Sequence, residues 1–210
     1  MTNDHEHSSQ PGRRSASARR RLLVVDAFID LVLEGGAPPA PEDIADRAGV
    51  SRATFFRYFS TLAELRNDAA TRVLERYPEL FTLPIVDAGS LDVRVRRFVD
   101  ARVQLHEALH PLQLLLRAHA AHEAEASEFV EVARQVLADQ VRQYFVADLQ
   151  AHGPAQRDDI VTTIAVMTSV ESWQQFRHSH HRTPTQTRRA WRTALADVLA
   201  APQQSVDEQT

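Results

Sequence analysis

The chain has 210 residues, a net charge of −4 and no cysteine, and all 24 of its Lys+Arg residues are arginine. Without cysteine there is no disulfide framework and no cysteine-based zinc site, and a slightly acidic chain is not a general binder of polyanions, so any attraction to nucleic acid must be local. No run of about 18 apolar residues occurs and the N-terminus is polar with no apolar signal region, so neither membrane insertion nor export is expected and the protein reads as cytoplasmic.

Residues 1–18 are mostly Ser, His, Gln, Pro and Arg, a composition that cannot repay the entropy of ordering, and they are expected to be disordered. Arg13, Arg14, Arg19, Arg20 and Arg21 make the end of this tail basic, which suits a flexible arm reaching into an adjacent minor groove.

The most informative segment is 42–65. Pro41 has the fixed φ of a first helical position, Glu42 and Asp43 set negative charge at the positive end of a helix dipole, and Ile44, Ala45 and Ala48 share one apolar face. Gly49 stands where a left-handed cap ends a helix, Val50 fills the angle, and Ser51 is placed to cap the next helix. From Arg52 to Phe59 the apolar side is Phe55 and Phe59, four apart, which turns Arg52, Ala53, Thr54, Phe56, Arg57 and Tyr58 outward. Two arginines, a hydroxyl and exposed aromatics over two turns suit contact with base edges and phosphates in a major groove. Thr61 and Glu64 then form a capping box that opens another helix.

The run Ile-Ala-x-x-Ala-Gly-Val-Ser-x-x-Thr-Phe resembles the N-terminal domain of the tetracycline-repressor (TetR) family of transcriptional regulators. Asp26 to Val32 and Gly36 fall where that family has its first core helix and closing glycine, and the resemblance runs to Leu65. It implies a DNA-reading helix with Ser51, Arg52, Ala53, Thr54, Phe56, Arg57 and Tyr58 at or near the duplex, Tyr58 standing where the family accepts a phosphate-binding tyrosine or histidine. Phe56 replaces a tyrosine and Leu62 a lysine that in the family anchor phosphate. Each lost anchor lowers affinity and flattens the salt dependence by roughly one unit of slope. Phe56 can instead pack on a thymine methyl or a sugar.

Beyond the next helix, to about Arg76, the stretch Pro78 to Ser90 reads as a connector. A stripe of Leu91, Val95, Phe98, Leu105 and Leu109 marks a helix stopped near Pro111, followed by a short Leu-rich helix to Ala121. Phe129 to Leu149 makes a long amphipathic helix ended by His152-Gly153-Pro154. Two last helices are expected from about 155 to 178 and from 184 to 200, the second opened by Thr183-Pro184-Thr185-Gln186, a capping box with proline first. The penultimate helix is apolar on more than one side, and the resemblance implies that these two helices pair with their copies in a four-helix dimer interface.

Arg102 and His106, one turn apart, interrupt an otherwise apolar face. They suit an anionic or hydrogen-bonding ligand group, or else Arg102 pairs with a carboxylate and His106 is a satisfied core group. His106 with His110 and His119 with His122 have helical spacing but lack a carboxylate motif, so no metal and no cofactor is expected. No Gly-rich phosphate loop, Gly-x-Ser-x-Gly elbow or His-Glu-x-x-His is present, so no enzyme is expected either.

The reading is an all-α protein: a disordered basic tail over 1–18, a three-helix DNA-binding domain with a helix-turn-helix over 19–77, a helical effector-binding and dimerisation domain over 78–202, and a tail over 203–210. The resemblance implies a homodimeric, ligand-responsive repressor on double-stranded DNA with a palindromic operator, its small-molecule effector unidentified. The alternative is a protein of this fold with weak DNA affinity that acts through a ligand or partner.

Overall fold

The computed structural model describes residues 10–84 and 89–200, with side chains from Ser15 onward. Every regular element among them is helical, as the absence of alternating apolar patterns requires. None of these helices is long and apolar enough to cross a membrane.

The helices cluster into two compact units, one comprising the chain to Tyr77 with Pro111–Ala126, the other Pro78–His110 with the remainder from Ser127. The first unit contains α1 (Gln10–Gly35), α2 (Pro41–Arg47), α3 (Arg52–Tyr58) and α4 (Leu62–Arg76). Val25, Phe28, Ile29 and Val32 of α1 are buried with Ile44 and Ala45 of α2, Phe55 and Phe59, and Leu65, Ala69 and Val73 of α4. Each large apolar side chain removed from water contributes about 1.5 to 3 kcal/mol, so these side chains hold the unit together. Arg72 bonds Asp26 through Nε at 2.9 Å and Nη2 at 3.1 Å, fixing α4 against α1.

The turn between α2 and α3 follows from its sequence. Gly49 lies at φ +66°. Its N–H donates to the Asp46 carbonyl at 3.1 Å, and the Val50 N–H donates to the Ala45 carbonyl at 3.0 Å. These two bonds form a complete Schellman motif that satisfies carbonyls at the end of α2. A Cβ at Gly49 meets open space, so only the backbone conformation opposes substitution there. Gly49→Ala is therefore expected to cost about 1 to 2 kcal/mol, read as a lower thermal midpoint.

The second unit contains α5 (Pro78–Phe81), the part of α6 (Leu91–Ala120) up to His110, and α7 (Ala124–Tyr144) from Ser127. It continues through α8 (Val146–Leu149), α9 (Pro154–Met167), α10 (Val170–Gln174), a π-helical turn Gln175–Ser179, and α11 (Pro184–Leu199). Its core joins Val95, Phe98, Val99 and Val103 of α6 to Val141, Phe145, Ile160, Ile164, Trp173, Trp191 and Leu195. Thr183 and Gln186 form the expected reciprocal capping box at α11.

Several expectations are corrected. α1 begins at Gln10, so residues 10–18, expected to be disordered, are helical, while residues 1–9 and the tail from 201 lie outside the described residues. Pro111 does not stop a helix: α6 runs through it to Ala120. The proline removes one backbone donor at a cost of about 3 kcal/mol, but Leu109 and Leu112 on either side are both buried and their packing outweighs the local preference. The segment after Pro111, assigned from sequence to the larger domain, clusters with the first unit. The long helix ending at Leu149 breaks at Phe145. The penultimate helix is also interrupted. Thr168 Oγ1 donates to the Ile164 carbonyl at 2.8 Å, and Ser169 adopts an extended backbone and caps α10 by accepting from Ser172 N at 3.2 Å. Ser and Thr side chains compete in this way with the helical ladder, while the apolar periodicity continues across the break and conceals it.

Candidate nucleic-acid interface

α3 is a helix of seven residues whose ends are specified by its own side chains. Ser51 Oγ accepts from the Thr54 N–H at 3.2 Å, satisfying one of the donors left open at the helix start. Phe59 ends the helix in extended backbone, so the helix closes at Tyr58, one residue earlier than the sequence pattern suggests. Phe55 and Phe59 are 1% and 0% exposed and their rings lie 6.1 Å apart, so the helix is braced from behind by both. At the next corner Thr61 Oγ1 accepts from Glu64 N at 3.1 Å, but Glu64 reaches back to the N–H and hydroxyl of Ser60 rather than to Thr61. The expected capping box is thus shifted by one residue on its return arm.

The opposite face of α3 faces outward. Ser51, Arg52, Ala53, Phe56 and Arg57 are exposed, and Thr54 and Tyr58 are half-buried. Phe56 is 47% exposed, its ring edge-on to Phe55 at 5.2 Å. Arg52 lies 5.6 Å over Phe56 and pairs with Glu42 of α2 at 3.1 Å, while Arg57 lies 5.4 Å from the Tyr58 ring. An exposed ion pair of this kind is worth at most about 1 kcal/mol, so Arg52 is readily given up to a phosphate or a guanine. Leu62 is half-buried at the start of α4 and presents no charge.

One contributor to this face was not recognisable in the sequence. Burial pushes the pKa of the Tyr58 hydroxyl up, but hydrogen bonds to Ser17 and Arg57 and the positive charges of Arg57 and Arg20 outweigh it, and the net shift is downward. Ser17 and Arg20 belong to α1, so α1 brings positive charge beside the end of α3 as part of a helix and not as a flexible arm. Arg19 and Arg20 are exposed. Arg21 is engaged inward, pairing with Glu64 at 2.8 Å and Asp68 at 3.0 Å and lying 4.6 Å over Phe59. The side chains of Arg13 and Arg14 lie outside the described residues.

In the second unit Arg102 and His106 are both buried, at 3% and 0% exposure, but they serve different neighbours. His106 Nε2 lies 3.0 Å from the Thr168 carbonyl, which the break before α10 leaves available, and the imidazole stacks on Trp173. It is a satisfied core group, one of the two alternatives left open by the sequence. Arg102 donates to Gln140 Oε1 at 2.9 Å and to the Leu137 carbonyl at 3.0 Å, and its guanidinium lies 4.9 Å over the Phe98 ring. The carboxylate partner considered for it is absent among the described residues, and burial pushes its pKa down to about 10. No cluster of three or more His, Cys, Asp or Glu among the described residues is placed to hold a metal ion.

Residues 40–74 match the family described as bacterial regulatory proteins, tetR family. No curated protein matches the chain. Among solved structures the fold is similar to that of a TetR-family transcriptional regulator from Streptomyces coelicolor, at 20% identity and a TM-score of 0.67 over 86% of this chain and 79% of that one. It is likewise similar to a transcriptional regulator from Rhodococcus sp. Rha1, at 16% identity and a TM-score of 0.66 over 85% of this chain and 95% of that one. The turn, the capped α3 and its outward arginines all lie within the segment that matches the tetR family of bacterial regulatory proteins.

Proposed function

We propose that the protein is a homodimeric, effector-responsive transcriptional repressor that inserts α3 of each protomer into successive major grooves of a pseudo-palindromic operator. The observation that carries this reading is the outward face of α3, where Arg52, Thr54, Phe56, Arg57 and Tyr58 stand together over a rigid apolar back. Arg52 and Arg57 read base edges or nearby phosphates, Ser51 caps the helix, Ala53 allows close approach to the groove wall, and Tyr58 with Arg20 contacts the backbone. A single short helix discriminates poorly, and two copies about 34 Å apart read both half-sites.

The dimer forms through the segment 155–178, here α9 to the π-helical turn, and through α11. Val166 supports this assignment: it is 66% exposed on α9, on the side opposite the buried Ile160 and Ile164. Effector binding in the second unit shifts the population toward dimers whose reading helices no longer match the groove spacing. This role places the protein in the cytoplasm, with no catalytic function.

The test is fluorescence anisotropy on DNA flanking the protein's own coding region, repeated across salt concentrations. Specific binding with log Kd rising linearly in log salt supports the reading, and no preference over random DNA sinks it. Arg52→Ala is expected to cost about 1 to 3 kcal/mol and to relax preference at one base pair if Arg52 reads guanine. Equal loss on all sequences places it on phosphate. The second reading, a regulator of weak DNA affinity, is favoured by the exposed Phe56 without a hydroxyl and by the uncharged Leu62. It predicts a salt slope smaller by about two units than a protein with both anchors.

A further inference from the structure

Of the chain's 9 phenylalanines, all of them among the described residues, Phe56 alone is exposed. It stands on a face whose other members are charged, polar or small, namely Ser51, Arg52, Ala53, Thr54, Arg57 and Tyr58. A single exposed apolar side chain is ordinary, but this one is held from two sides. Its ring stands edge-on to the buried Phe55 ring at 5.2 Å and 90°, and the Arg52 guanidinium lies 5.6 Å from its centroid. Arg52 is held in turn by Glu42, whose Oε1 lies 3.1 Å from Nη1. A guanidinium carries several N–H donors, so others stay open to an acceptor on DNA. Ring and guanidinium therefore need little further ordering when they meet a partner, which removes part of the cost of binding.

Arg52 and Phe56 are four residues apart and share one side of α3, with Cβ atoms at such a spacing about 5 to 6 Å apart. Successive bases of a strand rise by about 3.4 Å, so the two side chains address bases no more than about two steps apart. The major groove offers them different chemistry. Guanine O6 and N7 both accept from an arginine, and the apolar group that a base edge presents is the 5-methyl of thymine. A phosphate oxygen has no donor to meet on a ring without a hydroxyl.

We propose that Arg52 and Phe56 act as one reader of a thymine methyl group within about two base pairs of a guanine in each half-site, the guanidinium bonding the guanine and the ring covering the methyl. This deepens the DNA-binding reading above and rests on it. Phe56 is then a specificity residue that replaces a uniform phosphate contact with a base-dependent one.

The test uses the full chain to select duplexes from a random pool, followed by anisotropy on the selected sequences. These are expected to carry, in each half-site, a thymine within about two base pairs of a guanine. Replacing that thymine by deoxyuridine removes the methyl and leaves every hydrogen-bonding group in place. Binding is expected to weaken roughly 4-fold for one half-site and roughly 15-fold for both, the worth of one buried methyl each. Phe56→Ala is expected to bind the thymine and deoxyuridine duplexes equally well. A deoxyuridine substitution without effect puts the ring on a sugar or in solvent and overturns the proposal. So does a methyl dependence retained in Phe56→Ala, or selected half-sites with no thymine near a guanine. Each of these leaves the DNA-binding reading standing, whereas failure to select any sequence overturns both. The deoxyuridine comparison is made on the wild-type protein, so it decides the matter even if Phe56→Ala does not fold.

Discussion

Phe55→Ala is expected to lower the stability of the first unit by about 3 to 5 kcal/mol, the range for truncating a fully buried phenylalanine. Its ring is 1% exposed and lies edge-on to Phe56 and at a tilt to Phe59. A small domain has only about 5 to 15 kcal/mol of stability to lose, so much of it disappears. Operator binding is expected to fall with it, because Phe55 fixes the angle at which Arg52, Arg57 and Tyr58 leave the surface. The oligomeric state is expected to persist, since the proposed interface lies on α9 and α11. Thermal denaturation, anisotropy and light scattering on the same sample check all three. A stability loss under about 1 kcal/mol with operator affinity intact contradicts the role assigned to Phe55.

The second large effect is expected from Val166→Glu. In the protomer this side chain is 66% exposed, so replacing it leaves the core untouched and changes protomer stability by no more than about 0.5 kcal/mol. At a two-fold interface the same change places two carboxylates in an apolar seam without partners, which costs several kcal/mol. Light scattering at micromolar concentration is expected to give the mass of one chain in place of two. Operator affinity then drops by about 100-fold or more, because the second half-site no longer binds intramolecularly. A dimer that survives Val166→Glu removes α9 from the interface.

Much of the candidate site was legible in the residues themselves. Gly49 with its left-handed backbone, Ser51 as a cap, and Phe55 with Phe59 on one side of α3 are all local matters, decided within about five residues by sterics, hydrogen bonding and helical period. A polar composition by itself predicts that the arginine-rich tail is a free arm. What composition does not report is that Arg21 finds Glu64, Asp68 and the Phe59 ring, contacts that hold α1 at the corner before α4. At Pro111 and at Thr168 a local signal and a tertiary one disagree. Packing beside Leu109 and Leu112 overrode the proline, and the Thr168 carbonyl found His106.

The sequence by itself determined the helix-turn-helix, the orientation of its outward arginines and the all-helical class, because caps, glycine conformations and apolar periods act between near neighbours. Only the tertiary structure decided that Arg102 meets no carboxylate among the described residues, that His106 is committed to a carbonyl and that α1 carries Arg20 to the side of Tyr58. Those facts depend on residues roughly 35 to 60 positions apart being brought together, and no local preference encodes which partner a buried charge will meet once the core has closed around it.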